Sequence, residues 1–181
     1  PDARRYAGRA ANELRVAVCR GRGLKAMDAK PLFSSKEATS DPYVVVKLRG
    51  HPTRKTKTRM ETLAPVWNEV HVFDLHLEDY TSGPNGPLSN LQLEFTLYDW
   101  DRLESDDFLG GKELKLEPLG RSQKPLRQWH ALEDEHGEED EELGELLTVV
   151  HWRYNPAADY QPFNEFDDDR RQRPNELRVA L

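Results

Sequence analysis

The sequence predicts an all-β protein, an eight-stranded antiparallel β-sandwich. Three observations carry this: apolar and polar residues alternate with a period of two, turn-rich pieces recur between the alternating runs, and no segment has the 3.6-residue periodicity of a long amphipathic helix. Leu14, Val16 and Val18 alternate with Arg15 and Ala17, and Val44, Val46 and Leu48 alternate with Val45, Lys47 and Arg49. Further strand-like runs are RKTKTR (54–59), NEVHVFDLHL (68–77), LQLEFTLYD (91–99), LGGKELKL (109–116), RQWHAL (127–132) and ELLTVVHWRY (145–154). Turn formers such as RGHPT and TSGPNGP separate several of them. Eight short strands at this spacing suit a sandwich.

The chain has 181 residues, enough for one sizeable core with tails. Charged residues make up 33%, and no apolar run approaches the roughly 20 residues of a membrane span. It starts at Pro1 without a signal-like segment and reads as an excised fragment. The single cysteine, Cys19, has no intramolecular disulfide partner and fits a reduced, cytosolic setting. The net charge of −7 is local: EDEHGEEDEE (133–142) contributes −8, leaving −7 + 8 = +1 elsewhere. That segment reads as a solvated loop. Residues 155–174 are polar and proline-bearing and read as a linker. Residues 175–180, NELRVA, repeat residues 12–17 and read as the start of a second, truncated domain in a tandem array.

The chemistry concentrates in LYDWDRLESDDFLG (97–110). Asp99, Asp101 and Asp107 follow an Asp-x-Asp-x5-Asp spacing at the end of a predicted strand, and hard carboxylate oxygens in a loop suit calcium. An EF-hand is excluded: counting from Asp99, the glycine position holds Glu104 and the terminal glutamate position holds Gly110. Zinc is disfavoured, since the histidines lack paired spacing and cysteine is almost absent. A second acidic source, Asp28 and Asp41, brackets the stretch AKPLFSSKEATS. No nucleophile–base pair, P-loop or dinucleotide fingerprint is present, so the chain is expected not to be an enzyme, and no nucleic-acid partner is expected.

Several motifs occur together in one order: LRVAVCRGRGLKAMD, SDPYVVVKL, KTKTRMETLAPVWNE, LYDWDRLESDDFLG and GELLTVVHWRY. They cover residues 12–154 and resemble a C2 domain of the protein kinase C and synaptotagmin kind. The resemblance implies calcium-binding loops clustered at one end of the sandwich. It implies Asp28, Asp41, Asp99, Asp101 and Asp107 as side-chain ligands, with the backbone carbonyls of Met27 and Trp100. Glu104 stands where Ser or Thr is often found, adding either a ligand or only negative charge. The first loop, thirteen positions from Asp28 to Asp41, is longer than usual. The family's two circularly permuted strand orders are left open.

A basic face is also expected. Lys47 and Arg49 on one run and Lys55, Lys57 and Arg59 on the next would pair across neighbouring strands if GHPT makes a hairpin. Resemblance to the lysine-rich patch of the family implies anionic-lipid and phosphoinositide contacts from Lys47, Lys55 and Lys57, with Tyr43 as a headgroup-contacting aromatic; Val45 stands where a patch lysine is expected. Leu32, Phe33 and Leu103 are expected to dip into the lipid interface, and Phe108, Trp67 and Trp152 to pack. The expected function is calcium-dependent binding to anionic phospholipid membranes by a monomeric, cytoplasmic, peripherally bound targeting module. The alternative is a calcium-independent protein-interaction module.

Overall fold

In the computed structural model, residues 11–27, 38–75, 88–103, 105–122 and 124–154 are described. They form eight strands: β1 (Glu13–Arg22), β2 (Pro42–Leu48), β3 (Arg54–Lys55), β4 (Val66–Asp74), β5 (Gln92–Asp99), β6 (Asp107–Lys115), β7 (Leu126–Ala131) and β8 (Glu145–Arg153). One short helix, α1 (Glu117–Ser122), joins β6 to β7. The strands make two four-stranded sheets, β4-β1-β8-β7 and β3-β2-β5-β6, and every pairing is antiparallel. The expected sandwich is therefore the observed fold. Among the described residues, β8 lies between β1 and β7 in its sheet.

The period-two pattern explains why the sheets close on each other. Leu14, Val16 and Val18 of β1 and Leu146, Val150 and Trp152 of β8 meet Val44, Val46 and Leu48 of β2 and Leu93, Phe95 and Leu97 of β5 in one core, each at most 4% exposed. Burying each such aliphatic side chain contributes about 1.5–3 kcal/mol. Trp67 and Trp152 are core residues, as expected, and Trp152 Nε1–H donates to the Ala11 carbonyl at 3.1 Å.

Two segments differ from the sequence reading. RKTKTR is a strand only at Arg54–Lys55, because Thr56 turns inward. Its N–H donates to the Val44 carbonyl and its hydroxyl accepts the Val44 N–H, both at 2.9 Å, so a side chain replaces a backbone acceptor and ends the ladder. The acidic segment 133–142 is not merely solvated. Glu133 bridges to both Gly111 and Glu139, and Lys112 Nζ lies 2.6 Å from Glu133 and 2.9 Å from Glu139. Lys112 of β6, half-buried, gives this negative run an anchor on the sandwich.

That connection closes on Gly144, whose φ is +82°. A Cβ there would collide with the carbonyl oxygens of both Arg22 and Gly23, where the exit of β1 crosses the entry of β8. Gly144→Ala is expected to cost about 2–4 kcal/mol, read as a lower thermal midpoint, because backbone strain and a clash with main chain add together. A pH dependence follows from His130, which is 5% exposed with Nε2 3.0 Å from the Thr148 hydroxyl. Burial, with the nearby Lys112 charge, holds its pKa below the ordinary value. The unfolded chain then binds a proton that the folded one refuses, so stability should fall as pH drops through about 6.5 towards the depressed folded value. Urea unfolding across pH 7.5 to 5 is expected to show this loss, and His130→Gln, which keeps a partner for Thr148, to flatten it.

Candidate cation site and basic face

Antiparallel pairing brings four of the expected aspartates to one end of the β3-β2-β5-β6 sheet. Asp41 immediately precedes β2, Asp99 ends β5 and Asp107 opens β6; in the ladders Pro42 faces Asp99, and Asp99 faces Asp107. Asp101 lies two residues beyond β5. Three separate chain segments thus deliver carboxylates because their strands start or stop at the same level.

Hydrogen bonds fix how these carboxylates sit. Asp99 is 5% exposed, and its Oδ1 accepts the Asp41 N–H at 2.5 Å. In return the Trp100 N–H donates to the Asp41 carbonyl at 3.1 Å. Asp41 Oδ1 accepts the N–H of Glu61 at 2.6 Å; Glu61 itself has a left-handed backbone, φ +52°. Asp101 Oδ1 accepts the Leu103 N–H at 2.8 Å, an Asx-type turn. Among the described residues no three of Asp, Glu, His and Cys are gathered in a metal-binding geometry. Asp41, Asp99 and Asp101 each direct Oδ1 at a loop N–H, which offsets their mutual repulsion.

The donor set itself suits calcium, being carboxylate oxygen throughout. Asp41, Asp99, Asp101 and Asp107 are the described side chains able to hold such an ion. Asp28 and Glu104 lie outside the described residues, as do Leu32, Phe33, the linker and the repeated segment 175–181. Met27, expected to offer its carbonyl, donates its N–H to the Ser40 hydroxyl at 2.9 Å, and that hydroxyl donates to the Lys25 carbonyl at 2.9 Å. Ser40 is fully buried. It therefore cross-ties the two stems of the long first loop, a role its place in SDPY did not reveal.

The basic face is smaller than expected. Cations do not face cations across the strands: Val45 pairs with Lys55, Val46 with Arg54, and Lys47 with Glu94. Arg49 lies in the turn after β2, at the end of that strand away from Asp41. Arg59 is engaged, with Nη2 3.2 Å from the Trp67 carbonyl and 3.6 Å from Glu69. The Lys57 N–H also donates to Glu69, at 3.1 Å, while the Lys57 side chain is exposed. The early truncation of β3 at Thr56 is what breaks the expected register. Lys47, Lys55 and Lys57 remain as exposed amines.

Tyr43, expected to face headgroups, is 6% exposed. Its hydroxyl donates to Asp106 Oδ2 at 2.5 Å, its ring stacks on Tyr98 at 5.7 Å, and Lys55 Nζ lies 3.3 Å from the ring centroid. Phe108 packs edge-on against Tyr98 at 6.3 Å, consistent with its expected packing role. At the aspartate end, Leu103 is 90% exposed. Trp100 and Met60, in the loops that follow β5 and β3, are exposed too.

Comparisons with known proteins agree with this architecture. A family model of the C2 domain matches residues 12–132. Synaptotagmin-2 of Mus musculus is 32% identical over 150 residues, covering 82% of this chain and 31% of that protein. Multiple C2 and transmembrane domain-containing protein 1 of Mus musculus is 35% identical over 120 residues, covering 66% of this chain and 11% of that protein. The chain thus spans less than a third of the length of these relatives. Among solved structures, a structure of Extended-Synaptotagmin 2 that holds two C2 domains matches with a TM-score of 0.59 at 26% identity, covering 80% of this chain and 42% of that one. A C2 domain of plant Extended Synaptotagmin 1 matches with a TM-score of 0.59 at 22% identity, covering 81% of this chain and 98% of that one, and shows the shared fold. With the family model matching well over half of its length, the chain belongs to the C2 domain family.

Proposed function

We propose that this domain binds anionic phospholipid surfaces when calcium occupies the aspartate end, acting as a non-catalytic, peripherally attached module on a cytoplasmic membrane face. The observation that carries the reading is the delivery of Asp41, Asp99, Asp101 and Asp107 to one end, with Leu103, Trp100 and Met60 exposed in the loops that follow β5 and β3. Without calcium, the carboxylates repel an anionic leaflet and the exposed apolar tips stay out of it. With Asp28 and Glu104 counted, the formal charge is about −6, and two calcium ions supply about +4. Lipid phosphate and carboxylate oxygens then complete the open coordination positions. Calcium affinity should therefore rise with lipid present, and lipid affinity with calcium, by the same factor. Lys47, Lys55 and Lys57 add general attraction, about 1 kcal/mol each near an anionic surface. Phosphoinositides are a candidate within that class, through the same amines.

A calcium-independent protein-interaction role is favoured by a different observation: Asp41, Asp99 and Asp101 already have backbone partners, while Val66 and Val70 of β4 are about half exposed on a sheet edge. Co-sedimentation with phosphatidylcholine–phosphatidylserine vesicles decides between the two. Binding is expected with calcium and not with chelator; equal binding in both overturns the calcium reading.

Asp107→Asn provides a second check. Asp107 is exposed and directly opposite Asp99, and like charges so placed are destabilising. The substitution is expected to raise calcium-free stability by about 0.5 kcal/mol while weakening calcium binding, so the rise in melting temperature on adding calcium should shrink. Calorimetric titration and paired melts in calcium and chelator measure both halves.

A further inference from the structure

Asp106 sits among the acidic residues of the 99–107 loop, yet both its oxygens are directed at the protein itself. Oδ1 accepts the backbone N–H of Asp101 at 3.1 Å, and Oδ2 accepts the Tyr43 hydroxyl at 2.5 Å. Tyr43 is 63 positions away in sequence, on β2. Its ring lies beneath Lys55 Nζ and against Tyr98, which in turn meets Phe108. A continuous set of contacts thus runs from the backbone of a candidate calcium ligand, through Asp106 and Tyr43, to an exposed lysine of the basic face.

We infer that Asp106 is a positioning residue, which ties the loop at Asp101 to the Tyr43–Lys55 pair and couples the cation end to the basic face. Its consequence for calcium rests on the reading given under Proposed function; the tie itself does not. The Tyr43 hydroxyl holds the Asp106 carboxyl below the usual carboxylate range, opposed by burial and helped by the Asp101 N–H. Burial, then the same carboxylate, pushes the Tyr43 phenol above its ordinary value. Both oxygens of Asp106 are thus engaged, one by the loop main chain and one by a phenol from β2. A shift of the loop about Asp101 reaches Tyr43 through this carboxylate, and a change at Lys55 returns by the same route. Such coupling is reciprocal.

The test uses the full chain and the substitutions Tyr43→Phe, Asp106→Asn and Asp106→Ala. Tyr43→Phe is the discriminating one, since it removes a hydroxyl bonded to Asp106 and leaves both Asp106 and Asp101 in place. In calcium-free protein, the Asp101 amide is followed by NMR. Its hydrogen exchange is expected to rise about tenfold in Tyr43→Phe, and no further when that change is added to Asp106→Ala. With calcium chloride as the probe, calorimetry should show the Kd raised about threefold to tenfold in Tyr43→Phe, as loss of one supporting hydrogen bond allows. Unchanged Asp101 exchange overturns the tie. Unchanged calcium affinity, where the wild type binds calcium, overturns the positioning role. A wild type that takes up no calcium defeats the calcium reading, and the exchange measurement then decides the tie alone. Should Asp106→Ala fail to fold, Asp106→Asn takes its place, because a carboxamide has one acceptor oxygen for the two donors.

Discussion

The buried carboxylate of Asp99 is the interaction on which the aspartate end depends. It closes β5 at the level where β2 begins, and its bond to the Asp41 N–H is matched by the Trp100 N–H returning to the Asp41 carbonyl. These two bonds join the stems of loops that are distant in sequence. Replacing that carboxylate with an apolar group would take this acceptor from the part-buried Asp41 N–H. Ser40, one residue before Asp41, extends the same joint to the stem of the first loop through Met27 and Lys25. The β1–β2 and β5–β6 loops therefore share one hydrogen-bonded footing.

This footing explains how so much negative charge is tolerated. Backbone N–H groups from Asp41, Glu61, Asp101 and Leu103 point at carboxylate oxygens, supplying partial positive charge where no cation is needed to complete the fold. Each of Asp41, Asp99 and Asp101 commits one oxygen, Oδ1, to such an N–H. The lysines on the neighbouring face are handled differently: Lys47 faces Glu94 across the ladder, and Lys55 rests on the Tyr43 ring. Cation–π contact there stabilises an amine without neutralising it.

Much of the fold was legible because burial on a pleated sheet imposes a period of two, and Leu14, Val16, Val18, Val44, Val46 and Leu48 obey it without exception. The shortness of β3 was not legible. Lys55 and Thr56 alternate like strand residues, and only the tertiary position of Val44 shows that the Thr56 hydroxyl takes over from a backbone carbonyl. Composition likewise misled over 133–142, where the counter-charge, Lys112, comes from another strand. The expected aspartates were singled out by spacing and resemblance, and the ladders bring Asp41, Asp99 and Asp107 to one end of the sheet. Asp106 and Ser40 were not, because their partners are backbone groups or a phenol far along the chain, and no short motif encodes such a meeting.

The position of β8 has a mechanical consequence. Glu13 at the start of β1 pairs with Arg153 at the end of β8, so the chain enters and leaves the sandwich side by side. Both points lie at the pole opposite Asp41 and Asp99, separated from them by the length of a ten-residue strand, about 30 Å. Tension applied through both ends of the sandwich would therefore pull on neighbouring strand ends. Such a load would unzip β1 from β8 one pair at a time, beginning at Glu13 and Arg153, rather than shear the loops apart. The joint at Asp99 would be among the last contacts to feel it.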